Sequence, residues 1–327
     1  MEIIVTIFRQ VVIMFLLSGV GYLMFRGKKI SLEGSRNLGN ILLYLSLPCV
    51  IINGFLVEKT PERLAGLGIS AVMALIILLA SMLLSRLILG RNAIENFAGA
   101  FSNPGFFGVP LITSTLSNGA VFYIAAFIAF LNLLQWTYGV SLLERADEQG
   151  NVPGFRENSG NIARKADFRK RCKAMTVKLI KAPFMIAILI GLFFFLTGIP
   201  MPSVAGKCIG YIADLNTPLA MFTIGIYLAQ TDALKMFGKP RLYLVSVVRM
   251  IACPLAAMLL LGLVPDTLIE LKIAILIASA CPVGSNVAVY AQLHDSDYAC
   301  AVETVALSTI LSIVTLPLII GFAWMVW

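Results

Sequence analysis

The sequence is poor in charge and in the residues that most enzymes use for acid–base chemistry. Only 13% of its 327 residues are charged and it has a single histidine, His294, whereas soluble domains carry about 25% charged residues. It lacks the string G-x-x-x-x-G-K-[S/T] of nucleoside triphosphatases. An intramembrane protease would need a Ser–His pair or two facing aspartates, and Asp214 is the only aspartate deep in an apolar segment. We therefore predict no catalytic residues and no enzyme activity.

The six cysteines contain no C-x-x-C pair, and most lie in apolar runs, where cysteine behaves as a small hydrophobe. We predict no metal site, no disulfide framework and no cofactor, with a proton or sodium left open as a coupling ion. The net charge of +8 would suggest nucleic acid in a soluble protein. Here the distribution of the charges points to membrane orientation, and we predict no nucleic-acid partner.

Long apolar runs are abundant: 59% of the residues are hydrophobic, and several runs reach about 20 residues, enough to cross a hydrocarbon core of about 30 Å as a helix. Backbone groups in lipid must be hydrogen-bonded within the chain, so helices are expected. The predicted class is an all-α integral membrane protein. Its ten predicted spans are 3–25, 37–56, 64–88, 94–115, 119–142, 180–199, 205–230, 241–264, 267–292 and 299–326.

The basic residues are asymmetric along these spans. Nineteen of the 25 Lys and Arg lie in or beside the loops that follow odd-numbered spans, and four lie beside the others. The basic side is normally cytoplasmic. We therefore predict a multi-pass protein of the cytoplasmic membrane with both termini extracellular.

The chain divides into two halves. We predict a first five-helix repeat at 1–142, a cytoplasmic basic loop at 143–179 and a second five-helix repeat at 180–327. An odd number of spans in the first half means that the second half enters the membrane from the opposite side, which makes an inverted repeat.

Prolines recur in corresponding helices of the two halves. Pro48 in helix 2 matches Pro218 in helix 7, and Pro104 in helix 4 matches Pro282 in helix 9. Two matches in the same order support the repeat, although a single proline in a membrane helix is usually a structural kink.

Helices 4 and 9 also carry clusters of helix-breaking residues, "SNPGFFGVP" and "CPVGSN". Because proline lacks an amide hydrogen and clashes with the preceding turn, helix 4 is expected to open near Pro104 and again near Pro110, helped by Gly105 and Gly108. Helix 9 should open likewise around Pro282, Gly284 and Asn286. Two interrupted helices that cross at mid-membrane would form a polar site, and the N-termini of their half-helices would favour an anion.

These features resemble the auxin efflux carrier family, which includes plant PIN-type auxin carriers and bacterial transporters of organic acids such as malate or malonate. The resemblance covers nearly the whole chain, and its most specific part is the string N-P-G-x-x-G-x-P. It implies a fold similar to the bile acid:sodium symporters, with crossed broken helices 4 and 9. It also implies a homodimer and transport of a carboxylate by an elevator or rocking motion. By motif match, the residues at the crossing would be Asn103, Pro104, Gly105, Pro282, Ser285 and Asn286.

Charged residues inside spans are usually functional or paired. Arg249 could bind a substrate carboxylate, or it could pair with Glu303 or Asp214. Asp214 and Glu303 are candidate coupling residues, and Asp214 could instead form an ion pair or a helix cap.

Asn132 and Gln135 in helix 5 share a helix face because they are three residues apart. They could contact the substrate or form hydrogen bonds between helices.

The predicted function is secondary transport of a small organic anion. The predicted partners are this carboxylate substrate and the membrane lipid that surrounds the protein. The alternatives are a channel and a membrane sensor or lipid-binding receptor on a transporter scaffold. A sensor would need a signalling domain, and no segment outside the spans is long enough to fold as one.

Overall fold

The computed structural model describes residues 2–90, 92–143, 181–231, 236–293 and 296–327. These residues are almost entirely helical, and the one β-type pairing among them is an isolated bridge. Two sequence features lie outside the described residues: the predicted basic loop beyond Leu143, and His294.

The first half of the chain forms four continuous helices and one interrupted helix. The continuous helices are α1 (Glu2–Arg26), α2 (Leu32–Phe55), α3 (Pro61–Leu89) and α5 (Val121–Leu143). The interrupted helix consists of α4a (Ala93–Ala100) and α4b, which begins with a π-helical turn at Pro104–Gly108 and continues as Val109–Thr115.

The second half has the same order of elements. Its continuous helices are α6 (Pro183–Thr197), α7 (Ser203–Gln230), α8 (Pro240–Leu261) and α10 (Tyr298–Val326). The interrupted helix consists of α9a (Ile269–Ala280) and α9b (Asn286–Leu293). Eight predicted spans correspond to one helix each, and 94–115 and 267–292 correspond to the two interrupted helices. The outer ends lie within about five residues of the predicted ends.

Seven helices in the described part of the chain are long and apolar enough to cross a membrane: α1, α2, α3, α5, α7, α8 and α10. Helix α6 is a shorter apolar helix of 15 residues. The protein is therefore an all-helical membrane protein, as predicted.

Three prolines inside these helices are each preceded by a π-helical turn. The turns are Leu42–Ser46 before Pro48, Pro104–Gly108 before Pro110, and Val248–Ala252 before Pro254. A π-helical turn changes the register of the backbone hydrogen bonds, so the helix can continue through a residue that has no N–H. The predicted second opening of helix 4 near Pro110 is therefore wrong, because α4b continues through that proline.

Helices α1 and α7 pack with their backbones in very close approach. A Cβ atom built on Gly225 would lie 1.9 Å from the carbonyl oxygen of Ser18, and one on Gly21 would lie 2.4 Å from that of Phe222. Small residues allow membrane helices to approach in this way. Helices α2 and α6 also meet at a glycine, since a Cβ on Gly191 would lie 2.8 Å from the Phe55 side chain.

Two ion pairs connect the beginning of α8 to other helices. Arg241 pairs with Glu95 of α4a at 2.9 Å, and Lys239 pairs with Glu303 of α10 at 2.5 Å. The hydrogen bond to the Glu303 carboxylate raises the pKa of the Lys239 ammonium group. The two ion pairs join α4a and α10 to the N-terminal end of α8.

Candidate functional site

The two interrupted helices meet at their interruptions. Ser102 and Val283 form an antiparallel bridge, and the amide of Gly284 donates a hydrogen bond of 3.0 Å to the carbonyl oxygen of Phe101. The amide of Val283 donates a second bond of 3.1 Å to the Ser308 hydroxyl of α10. The non-helical backbone is thus paired within the protein, as a buried segment requires.

Local chemistry explains where α4 breaks. A proline disfavours the α conformation in the residue before it and is well suited to the first position of a helix. Asn103, the residue before Pro104, accordingly has non-helical dihedral angles, with φ −112° and ψ 63°, and Pro104 begins α4b. The Asn103 side chain caps the new helix by accepting a hydrogen bond of 3.3 Å from the amide of Phe106.

The second interruption depends on a glycine. A Cβ built on Gly284 would lie 2.8 Å from the carbonyl oxygen of Ser102, so a larger residue would push the two crossing segments apart. Residues 281–285 are all buried.

A cavity of about 300 Å³ lies beside the crossing. Its wall is formed by α2, the start of α4b, α5, the residues before and within α6, and α9b. Six residues predicted for the site line it: Asn103, Pro104, Gly105, Asn132, Gly284 and Asn286. The crossing segments of both halves therefore contribute to one cavity.

Four other predicted residues lie outside the cavity wall: Gly108, Pro282, Ser285 and Gln135. Gly108 packs closely against the second interruption, since a Cβ there would lie 3.1 Å from the Cys281 sulfur. Gln135 supports the wall, because its Oε1 accepts a hydrogen bond of 2.9 Å from Nδ2 of Asn286. Gln135 thus makes a bond between helices, whereas Asn132 donates to the carbonyl oxygen of Ile128 in its own helix and lines the cavity.

Several lining residues were missed by the sequence analysis. Ser102 is 1% exposed, and its hydroxyl has no hydrogen-bond partner. Ser102 is the first residue of the helix-breaking string "SNPGFFGVP", so the sequence contained a signal that could have identified it. Tyr290 lies one turn after Asn286 on the same face of α9b and was also detectable, whereas Leu47 and Trp136 carry no such signal.

Arg249 lies behind the crossing and does not line the cavity. Its side chain is almost fully buried, at 1% exposure. Nη1 donates to the carbonyl oxygens of Ala100 at 2.8 Å and Gly99 at 3.3 Å, and Nη2 donates to the carbonyl oxygen of Ser279. One guanidinium group therefore binds the C-terminal ends of both α4a and α9a, and its described bonds involve neither Glu303 nor Asp214.

These bonds give the crossing an uneven charge distribution. The C-terminal end of a helix carries a partial negative charge and the N-terminal end a partial positive charge of about half an electron. The negative ends of α4a and α9a are neutralised by Arg249. The positive ends of α4b and α9b lie at the cavity, where Gly105 and Asn286 form part of the wall.

The two predicted coupling residues lie away from this cavity. Glu303 is paired with Lys239. Asp214 is exposed at the end of the first part of α7 and lines a separate cavity of about 100 Å³.

The chain is similar to known transport proteins over most of its length. The family model "Membrane transport protein" matches residues 6–320. A protein of Rhizobium meliloti (strain 1021) named "Putative malonate transporter" is 26% identical over 288 residues, which covers 85% of this chain and 83% of that protein.

The all-helical membrane fold and the match over nearly the whole chain lead to one conclusion. The chain belongs to the membrane transport protein family, the auxin efflux carrier family that its broken-helix motifs resemble, and it is a transporter rather than an enzyme.

Proposed function

We propose that the protein is a secondary transporter that carries a small organic anion across the cytoplasmic membrane by an elevator-type alternating access. The observation that carries this proposal is the role of Arg249 at the crossing. Arg249 binds the negative, carbonyl ends of α4a and α9a. The positive, amide ends of α4b and α9b therefore determine the electrostatic potential in the cavity.

The polarity of the cavity wall favours an anion. The wall includes the amide groups of Asn103, Asn132 and Asn286, and none of the described residues that line it is acidic. Helix N-termini bind carboxylate and phosphate groups through their free N–H groups and their dipoles. Transporters of other folds use half-helix N-termini in the same way for substrate carboxylates.

The remainder of the wall favours a carboxylate with an apolar part. The cavity is also lined by three aromatic residues, Trp136, Tyr290 and Phe106. The related R. meliloti protein is named "Putative malonate transporter", and this name supports small carboxylates as the proposed substrate class. A cavity of about 300 Å³ is at the lower end of the range for small-molecule sites.

The pattern of contacts supports two bodies that move relative to each other. Arg249, the Arg241–Glu95 pair and the Lys239–Glu303 pair join α4, α8, α9 and α10. The bond from Asn286 to Gln135 adds α5, and a bond of 2.7 Å from the Ser85 hydroxyl to the carbonyl oxygen of Asn96 adds α3.

The remaining helices form a second group. Helices α1 and α7 meet at Gly225, and α2 and α6 meet at Gly191. The Ser46 hydroxyl of α2 donates to the carbonyl oxygen of Ile212 in α7 at 2.9 Å. We propose that α3–α5 with α8–α10 form the transport domain and that α1, α2, α6 and α7 form the scaffold.

The two halves are proposed to be inverted repeats of five membrane helices each. The antiparallel direction of the bridge between Ser102 and Val283 supports this arrangement, since inverted halves bring corresponding segments together with opposite chain directions. Extracellular termini and a homodimer remain predictions.

The proposal is tested by counterflow in proteoliposomes that contain the purified protein. We expect saturable exchange of labelled mono- or dicarboxylates, inhibited by unlabelled carboxylates and not by the corresponding neutral amides. Equal inhibition by the amides would contradict anion recognition, and conduction far above carrier turnover rates would indicate a channel.

A further inference from the structure

A second cavity, of about 100 Å³, lies between α2, α4b and α7, away from the crossing. Its polar lining consists of Asn53, Thr113, Asp214, Asn216 and Thr217, and the rest of the wall is small and apolar. Nearly all of the hydrogen-bonding groups around it are thus side-chain oxygens or amides from three different helices.

Asn216 has unmet hydrogen-bonding capacity. Its residue is 2% exposed, and neither Oδ1 nor Nδ2 has a hydrogen-bond partner in the structure. An unpaired buried amide is costly, and buried polar groups are normally satisfied. Since Asn216 lines the cavity, a ligand in the cavity would satisfy it.

The hydroxyl of Thr113 is arranged to accept. It donates its proton to the carbonyl oxygens of Val109 and Pro110, at 3.1 and 3.2 Å. A hydroxyl has one proton and two lone pairs, so the lone pairs of this oxygen remain for the cavity.

A further oxygen comes from the backbone of α7. The helical hydrogen-bond pattern of α7 is broken at Leu215, where the backbone keeps a helical conformation. The regular helical donor for the carbonyl of Asp214 would be the amide of residue 218, and Pro218 has none. Backbone carbonyl oxygens that lack a helical donor are among the groups that bind Na⁺ in transporters.

The charge of the cavity selects the sign and valence of its ligand. Among the described residues that line the cavity, Asp214 is the only charged one. It lies near the middle of a candidate membrane span, Ser203–Gln230, where an uncompensated carboxylate is costly. The last turn of Ser203–Asp214, the first part of α7, contains no basic residue that could compensate the Asp214 charge. One carboxylate among neutral oxygens suits a monovalent cation, whereas divalent cations usually recruit several carboxylates.

We propose that this cavity binds Na⁺ through Asp214, Asn216, Thr113, Thr217 and Asn53. The site is built from both of the proposed bodies, because Thr113 belongs to α4b and the other four residues belong to α2 and α7. A cation held between the bodies would bind with an affinity that depends on their relative position. This coupling role rests on the proposed function, whereas the binding of Na⁺ does not.

The test is a thermal-shift titration of the purified full-length protein with NaCl in the absence of any organic anion, with choline chloride at matched ionic strength as the reference. We expect a Na⁺-dependent rise in melting temperature for the wild type. Asp214→Asn should abolish this rise, and Thr217→Val and Asn216→Ala should each weaken apparent Na⁺ binding by about tenfold or more, which corresponds to about 1.4 kcal/mol. The control Glu58→Gln removes an exposed carboxylate outside this cavity and should titrate like the wild type.

The site would be overturned by the absence of a Na⁺-dependent shift in the wild type, or by an unchanged shift in both Asp214→Asn and Thr217→Val. A shift that follows pH and not Na⁺ would also overturn it and would indicate a proton. If Na⁺ binds at this cavity and no organic anion is exchanged in proteoliposomes, the proposed function fails and the cation site stands. If instead organic anions are exchanged and Na⁺ does not bind, the cation site fails and the proposed anion transport stands.

Discussion

Asn286 donates a hydrogen bond of 2.9 Å from Nδ2 to Oε1 of Gln135. The bond fixes the first residue of α9b, which lines the cavity, to helix α5, where Gln135 lies behind the wall. We therefore expect Gln135 to act on a substrate only through Asn286, which it holds in place.

This relationship predicts that the two residues act together. We expect Asn286→Ala to reduce counterflow strongly, because it removes an amide from the wall. Gln135→Ala should reduce it less, and the double variant should be no worse than Asn286→Ala alone, since the same interaction is lost. Initial rates of carboxylate counterflow in proteoliposomes measure all three variants. Additive losses would show that Gln135 has a separate role.

Arg249 is predicted to be a structural requirement of the crossing. Arg249→Met removes the cation from three buried carbonyl oxygens, and a buried group left without its partner costs about 1–3 kcal/mol. We expect a loss of at least that size in unfolding free energy, together with loss of transport.

The matched control is Arg241→Gln in the same helix. Arg241 pairs with Glu95 while 60% of its own side chain is exposed, so its loss should cost less than about 1 kcal/mol. Denaturant unfolding in detergent compares the two variants. A stable Arg249→Met variant whose only defect is weak carboxylate binding would instead support direct substrate contact.

The contact between α1 and α7 predicts a glycine requirement in the scaffold. Gly225→Ala places a methyl group where the backbone of α1 now lies, 1.9 Å from the carbonyl oxygen of Ser18. We expect a large fall in melting temperature and in the yield of folded protein. Gly210→Ala, in the same helix, meets nothing within 4 Å and should leave both unchanged. Equal behaviour of the two variants would contradict this close packing.

Relative motion of the two proposed bodies predicts that a crosslink between them stops transport. A Cβ on Gly54 of α2 would lie 3.0 Å from Cβ of Val121 in α5, and one on Gly99 of α4a would lie 3.3 Å from Cβ of Ser85 in α3. Disulfides have Cβ–Cβ separations of about 3.5–4.5 Å, so each pair can be bridged after the two helices move apart slightly. Oxidation of the Gly54→Cys/Val121→Cys variant should abolish counterflow, and reduction should restore it.

The Gly99→Cys/Ser85→Cys crosslink lies within one body and serves as the control. It should leave counterflow intact, provided that mass spectrometry confirms both disulfides. Full transport by the oxidised Gly54–Val121 pair would contradict the division into scaffold and transport domain.

The helices and their ends were predictable from sequence because long apolar runs and helix-capping signals are local. The site of the first interruption was predictable in outline, because Pro104 follows two residues with little helical preference. The continuation of α4b through Pro110 was not predicted, since a π-helical turn depends on the neighbouring helices as much as on the local sequence.

The role of Arg249 could not be derived from sequence. Its partners, the carbonyl oxygens of Gly99, Ala100 and Ser279, are backbone atoms that leave no trace in residue identity. A search for charged side-chain partners therefore suggested Glu303 and Asp214. Asp214 was identified by its charge, but the neighbours that form its cavity come from α2 and α4b and are known only from the tertiary structure.

The central claim is that an anion binds at the N-terminal ends of α4b and α9b, and Asn103→Asp tests it most directly. Aspartate caps a helix as well as asparagine does, so this variant should keep the fold while it adds a negative charge beside the proposed carboxylate site. Isothermal titration of a transported carboxylate into wild type and Asn103→Asp should show strong loss of binding at unchanged melting temperature. Equal affinity in the two proteins would contradict the account.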